Sequence, residues 1–237
     1  MTLQSLAGLQ EIVHGRSAPG VANPLDPGFI AAAEAARDDF RSKLATSTNE
    51  DILARLYGSD PMAITSDLMQ QIATDLRRVH NCPEAEIILV GSAQFGFSMS
   101  EKAARPERPA RGQRPFRAAE AAKLRYRLFA PTSDLDIAII DKGLWERAWK
   151  STYAASMSTQ AWRNERPFAD YFFKGWVRPD MLPDDIDLKT EWFVENRRLK
   201  AKHLGGQHTI NAGLYYDRDF LHGYAAVAID ECRALEI

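Results

Sequence analysis

Two runs decide how this chain is read: Ile87-Ile88-Leu89-Val90-Gly91-Ser92 and, further on, Ser133-Asp134-Leu135-Asp136-Ile137-Ala138-Ile139-Ile140. Each is an apolar strand of the kind a buried sheet requires. The first ends in a Gly-Ser pair, and the second interrupts its apolar run with two carboxylates. Asp134 and Asp136 sit two apart, so on a strand both side chains leave the same face. Two carboxylates so placed repel each other unless a positive charge lies between them, and a divalent cation is the simplest such charge. Gly91 lets the backbone approach a ligand closely, while the amide and hydroxyl of Ser92 donate to an anion. Together they describe a site for a metal-bound nucleotide. The plainer alternative is two ordinary strands with Ser133-Asp134 in a turn, but an unpartnered Asp136 between Leu135 and Ile137 is poor strand chemistry.

Gly91-Ser92 closing one strand, Gly96 just beyond, and Ser133-Asp134-Leu135-Asp136 opening the next resemble the signature of the DNA polymerase beta-like nucleotidyltransferase superfamily. The likeness spans roughly Asp67 to Ile140. It implies an α/β (α+β) fold: a mixed sheet carrying the signature, flanked by helices, with helical amino- and carboxy-terminal parts. It also implies Mg2+ (or Mn2+) as cofactor, a nucleoside triphosphate (NTP or dNTP) as substrate, and two-metal transfer of a nucleoside monophosphate to an acceptor hydroxyl. That acceptor would belong to a nucleotide, a nucleic-acid end, a protein or a small molecule. The superfamily includes bacterial defence and toxin–antitoxin members. Asp134 and Asp136 would hold the metals, Gly91 and Ser92 a phosphate, and a third carboxylate is expected on a later strand facing the pair. Asp187, between Ile186 and Leu188, fits that description, with Asp185 behind it. Asp184 and Asp185 would equally cap a following helix. A competing third strand, Ile210 to Tyr216, offers Asn211 in that place, which would leave the triad incomplete. A catalytically inactive nucleotide- or nucleic-acid-binding module with the same fold is then the alternative.

The chain has 237 residues and a formal net charge of −2, so bulk charge does not announce a nucleic-acid binder. Its charge is unevenly spread. Residues 101–127 hold nine Lys or Arg against three Glu, a local +6, leaving −8 for the remainder. This insertion separates the halves of the signature. Its first part, with Pro106, Pro109, Gly112 and Pro115, reads as a loop. Its second part, Lys123 to Phe129, alternates as a strand with one basic face. Arg125 and Arg127 are therefore candidates for nucleotide binding, and the whole insertion for nucleic acid, oligonucleotide or a protein partner.

The remaining segments read as helices: Leu3–Val13, Phe29–Leu44, Glu50–Tyr57 (capped by Ser47 or Asn49), Asp67–Val79, Leu144 to about Arg163, about Thr190–His203, and Phe220–Leu235. Trp145, Trp149 and Tyr153 form a stripe expected to face the core. The aromatics and cations of residues 164–183 would either stack a base or cover the core. We divide the chain into a helical region 1–65, a nucleotidyltransferase core 66–190 with its basic insertion, and a region 191–237 completing the core. Cys82 and Cys232 are the only cysteines, too few for a disulfide framework. With no membrane-length apolar run and no signal-peptide layout, the sequence predicts a cytoplasmic protein that does not engage a membrane.

Overall fold

A computed structural model of the chain describes residues 18–100, 102–103, 123–157, 162 and 164–236. The expected helix Leu3–Val13 and most of the basic insertion lie outside the described residues. Side-chain caps start the first three helices. Asp26 Oδ1 accepts from the amides of Gly28 and Phe29 to begin α1 (Pro27–Leu44), where Pro27 meets no hydrogen-bond demand. Thr48, rather than Ser47 or Asn49, caps α2 (Asn49–Gly58), in a reciprocal box with Asp51. Thr65 caps α3 (Ser66–Val79), which buries Leu68, Ile72, Ala73 and Leu76 along one face.

Strand β1 (Glu86–Val90) follows, running directly into a short helix, α4 (Gly91–Phe95), which Gly96 terminates. Two-residue strands β2 (Lys102–Ala103) and β3 (Lys123–Leu124) pair with each other. The chain then builds β4 (Leu135–Ile140), α5 (Lys142–Ser156), α6 (Glu165–Phe172), β5 (Trp176–Val177), a 3-10 turn at Pro179–Met181, α7 (Asp187–Leu204), β6 (Ile210–Tyr215) and α8 (Arg218–Glu236). Four strands form a mixed sheet in the order β1-β4-β6-β5. The signature strands β1 and β4 are antiparallel neighbours, with Val90 opposite Asp136. Strand β6 runs parallel to β4 and sets Asn211 opposite Asp136. Strand β5 lies antiparallel at the edge of β6.

Period-two alternation divides β4 between two faces. Leu135, Ile137 and Ile139 join the main core with α3, α5, α7 and Leu89. Ala138 and Ile140 pack on the other face with Tyr215 and Leu221, and Asp136 shares that face. Fully burying each large aliphatic of this kind stabilises by about 1.5–3 kcal/mol, so slipping the register by one residue would be costly. A further cluster joins Phe40 and Leu44 of α1, Ile52 and Leu53 of α2, Phe95, Phe97 and Met99, and Ala225, Ile229 and Cys232 of α8. The amino-terminal helices thus share a core with the carboxy-terminal one.

Two expectations need correction. The alternation from Lys123 to Phe129 does not continue as a strand, because Tyr126 adopts a left-handed backbone (φ 58°) and carries its ring toward Phe40 and Phe97. On α5, the inward face is Leu144, Ala148 and Thr152. Small residues there let the helix approach the sheet, while Trp149 and Tyr153 are 47% and 61% exposed. Trp145 lies between these extremes, stacked on Phe172 and edge-on to Tyr216. Among the described residues no helix is long and apolar enough to cross a membrane.

Candidate functional site

The signature halves meet where β1 ends. Gly91 has φ +67°, and a Cβ placed there would lie 3.2 Å from Asp136 Oδ2. The bare glycine is therefore what lets that carboxylate rest against the turn. Ser92 is nine-tenths buried, and its hydroxyl makes no hydrogen bond among the described residues. Asp134 stands on a short turn closed by Ser133 N to Ala130 O (2.8 Å) and Ala130 N to Ser133 Oγ (3.0 Å). That turn is fixed to the start of β6 by Leu135 N to Thr209 O (2.8 Å) and by His208 Nδ1 against Ser133 O (2.8 Å). The Asp134 carboxylate has no hydrogen bond or ion pair among the described residues.

Gly91, Ser92, Asp134, Asp136 and Asn211 all line one cavity of ≈ 770 Å³. Helix α7 contributes Asn196, Arg197 and Lys200 to its wall, and β5 with the following turn contributes Trp176, Arg178 and Asp180. Arg178 grips Asp180 through two hydrogen bonds (3.1 and 2.7 Å) and lies over the rings of Tyr171 and Trp176. Trp176 is parallel to Tyr215 (centroids 5.8 Å, planes 2° apart) and 4.8 Å from Tyr224. Burial raises the pKa of the Tyr57 phenol to about 12. Burial chiefly, with the charge of Asp136 among lesser causes, also raises those of Tyr215 and Tyr224. At neutral pH all three phenols in this cavity are protonated and can only serve as neutral hydrogen-bonding or stacking groups.

The α7 wall is anchored from behind. Asp75 of α3 accepts hydrogen bonds from Lys202 Nζ (2.5 Å), His203 Nε2 (2.7 Å) and Arg78 (3.0 Å). Burial by itself would raise the Asp75 pKa, but these donors together hold it well below the usual carboxylate range.

Three residues expected at the site fall elsewhere. Asp187 is not on a strand: it is the first residue of α7, exposed, and does not line the cavity. There its carboxylate complements the helix dipole, and the strand beside Asp136 carries Asn211 instead. Arg125 points at α8, bonding Glu231 (3.1 Å) and Met99 O (3.2 Å). Arg127 offers its backbone carbonyl to Ser98 N (2.9 Å). Neither arginine lines the cavity, because the left-handed turn at Tyr126 directs this segment to the helical core.

Asn196, Arg197 and Lys200 are cavity residues that the signature motifs did not single out. Spacing held the signal: Arg197 and Lys200 are i, i+3 and share a face, whereas Arg198 is turned to Glu195 (2.7 Å) and Lys202 to Asp75. No protein-family model matches the chain, and comparison with curated proteins and with solved structures returns no match.

Proposed function

We propose that this protein is a divalent-cation-dependent nucleotidyltransferase, joining a nucleoside monophosphate from a triphosphate to an acceptor hydroxyl. The observation that carries the reading is the contact of Gly91 with Asp136, which gathers Ser92, Asp134 and Asp136 around one cavity. The donor set suits Mg2+ or Mn2+: two oxygen-bearing acids beside a glycine cradle that a side chain would fill. Asp134 and Asp136 would hold the cation, which when bound supplies positive charge to phosphate oxygens and makes an oxygen nucleophile more acidic. The Ser92 hydroxyl donates to a phosphate oxygen. Arg197 and Lys200 offset charge on the departing pyrophosphate, and the Trp176–Tyr224 wall gives a base a stacking surface.

Purified protein incubated with α-labelled triphosphates and Mg2+ should incorporate label or release pyrophosphate, and Asp136→Ala should abolish either product. Failure with all four ribo- and deoxyribonucleotides, across nucleotide, nucleic-acid, protein and small-molecule acceptors, refutes the reading. One observation favours a second reading, a nucleotide-binding module without catalysis: the amide of Asn211 stands where a third carboxylate is expected. Tight triphosphate binding without turnover, indifferent to Mg2+, would select it.

A further inference from the structure

Sharing two divalent cations a few ångströms apart takes enough carboxylate charge to hold both. Repulsion between two such ions is about fourfold that between unit charges at the same separation. The cavity offers two carboxylates for this, Asp134 and Asp136. The residue level with Asp136 on the neighbouring strand is Asn211, exposed to the cavity, whose neutral amide brings no charge. The remaining acid on the wall, Asp180, is already held at two points by Arg178. Among the described residues no group of three or more His, Cys, Asp or Glu is arranged to hold a metal ion.

Positive charge reaches the cavity another way. Arg197 and Lys200 line it and make no ion pair among the described residues, unlike Arg178, Arg198 and Lys202 around them. The nine-tenths buried Ser92, its hydroxyl without a hydrogen bond among the described residues, independently marks the same cavity as built for a ligand oxygen.

We propose that the cavity takes one divalent cation with its nucleoside triphosphate, not two: Asn211 sets that number, and Arg197 and Lys200 stand in for the second cation's charge. This rests on the nucleotide reading above. Mn2+ bound per chain is counted by electron paramagnetic resonance, with saturating non-hydrolysable α,β-methylene analogues of the four ribonucleoside triphosphates. The wild-type protein should hold one Mn2+ per bound analogue. Asn211→Asp, nearly isosteric and at an exposed position, should hold two. Asn211→Ala should keep one at an affinity within about twofold of wild type, since the amide is not needed as a ligand. Two Mn2+ in the wild type would overturn the inference and leave the nucleotide reading standing. So would a folded Asn211→Asp that stays at one, or an Asn211→Ala that loses its cation. Binding of neither analogue nor Mn2+ would remove both readings together.

Discussion

The contact between Gly91 and Asp136 makes Gly91→Ala the sharpest perturbation. At φ +67° an alanine costs about 1–2 kcal/mol through its backbone alone. Its Cβ would stand 3.2 Å from Asp136 Oδ2, so the carboxylate must yield by a few tenths of an ångström. Turning that side chain off its rotamer adds about 0.5–1.5 kcal/mol. The sum, about 1.5–3.5 kcal/mol, corresponds in a chain of this size to a melting temperature lowered by roughly 3–14 °C. Gly205→Ala provides the control: φ there is +54°, and the nearest outside atom to an added Cβ is Ala18 Cβ at 4.0 Å. It should carry the backbone cost without disturbing the site. Calorimetric titration with a Mg2+-loaded non-hydrolysable triphosphate then separates the two variants. Gly91→Ala should bind roughly tenfold more weakly or worse, because small displacements of a positioned group are expensive, and Gly205→Ala should bind like the wild type. A folded Gly91→Ala with unchanged triphosphate affinity would show that the Gly91–Asp136 contact has no part in ligand binding.

His80, stacked on Trp192 at 4.2 Å and buried, has its pKa lowered to about 4 by burial, helped by the nearby Arg147 charge. The unfolded value is about 6.5, so the unfolded chain binds protons first as pH falls. This contribution is complete above about pH 6.5 and lost toward pH 4, about 3 kcal/mol in all; urea unfolding across that range should show it, and His80→Phe should flatten the profile. Arg125→Ala should cost about 1 kcal/mol in chemical denaturation by removing its bonds to Glu231 and Met99 O, with nucleotide affinity unchanged. Arg197→Ala and Lys200→Ala should each weaken triphosphate binding about tenfold, weaken monophosphate binding less, and flatten its dependence on salt in titrations at several ionic strengths.

The parts of the site legible in the sequence are those set by local pattern. Alternation around Asp136 and the Gly-Ser ending of β1 fix which side chains share a face, and the antiparallel pairing of β1 with β4 then brings them together. What escaped depends on contacts between distant segments. Whether Asp187 or Asn211 stands beside Asp136 turns on which segment forms the parallel neighbour of β4, and both carry the apolar flanks of a strand. Asp187 falls to helix α7 because the apolar residues around it, Ile186 and Leu188, bury against the main core from a helix start. The aromatic spacing on α5 pointed to Trp145, Trp149 and Tyr153 as the core face, whereas the neighbouring Leu144–Ala148–Thr152 face packs inward and Trp149 and Tyr153 are exposed. Likewise, nothing local in Arg125-Tyr126-Arg127 shows that Tyr126 will turn into a core built from both ends of the chain.

Elsewhere in the fold, comparable side chains are put to structural use. Asp26, Thr48, Thr65 and Asp141 cap helices, and Asp75 ties α3 to α7 through three donors. The signature cavity does the reverse. It lines one cavity with Asp134 and Asp136 and, among the described residues, leaves the Asp134 carboxylate and the Ser92 hydroxyl without a hydrogen bond and Arg197 and Lys200 without an ion pair. Two carboxylates lining one cavity repel each other, which works against the folded state. A cation held at Asp134 and Asp136, with phosphate oxygens reaching Ser92, Arg197 and Lys200, would give the Asp134 carboxylate, the Ser92 hydroxyl and the two cations partners at once. Neither component would do so alone: phosphate by itself meets two carboxylates, and a cation by itself leaves the cationic wall uncompensated. That mutual dependence is why cation and triphosphate should bind this cavity cooperatively.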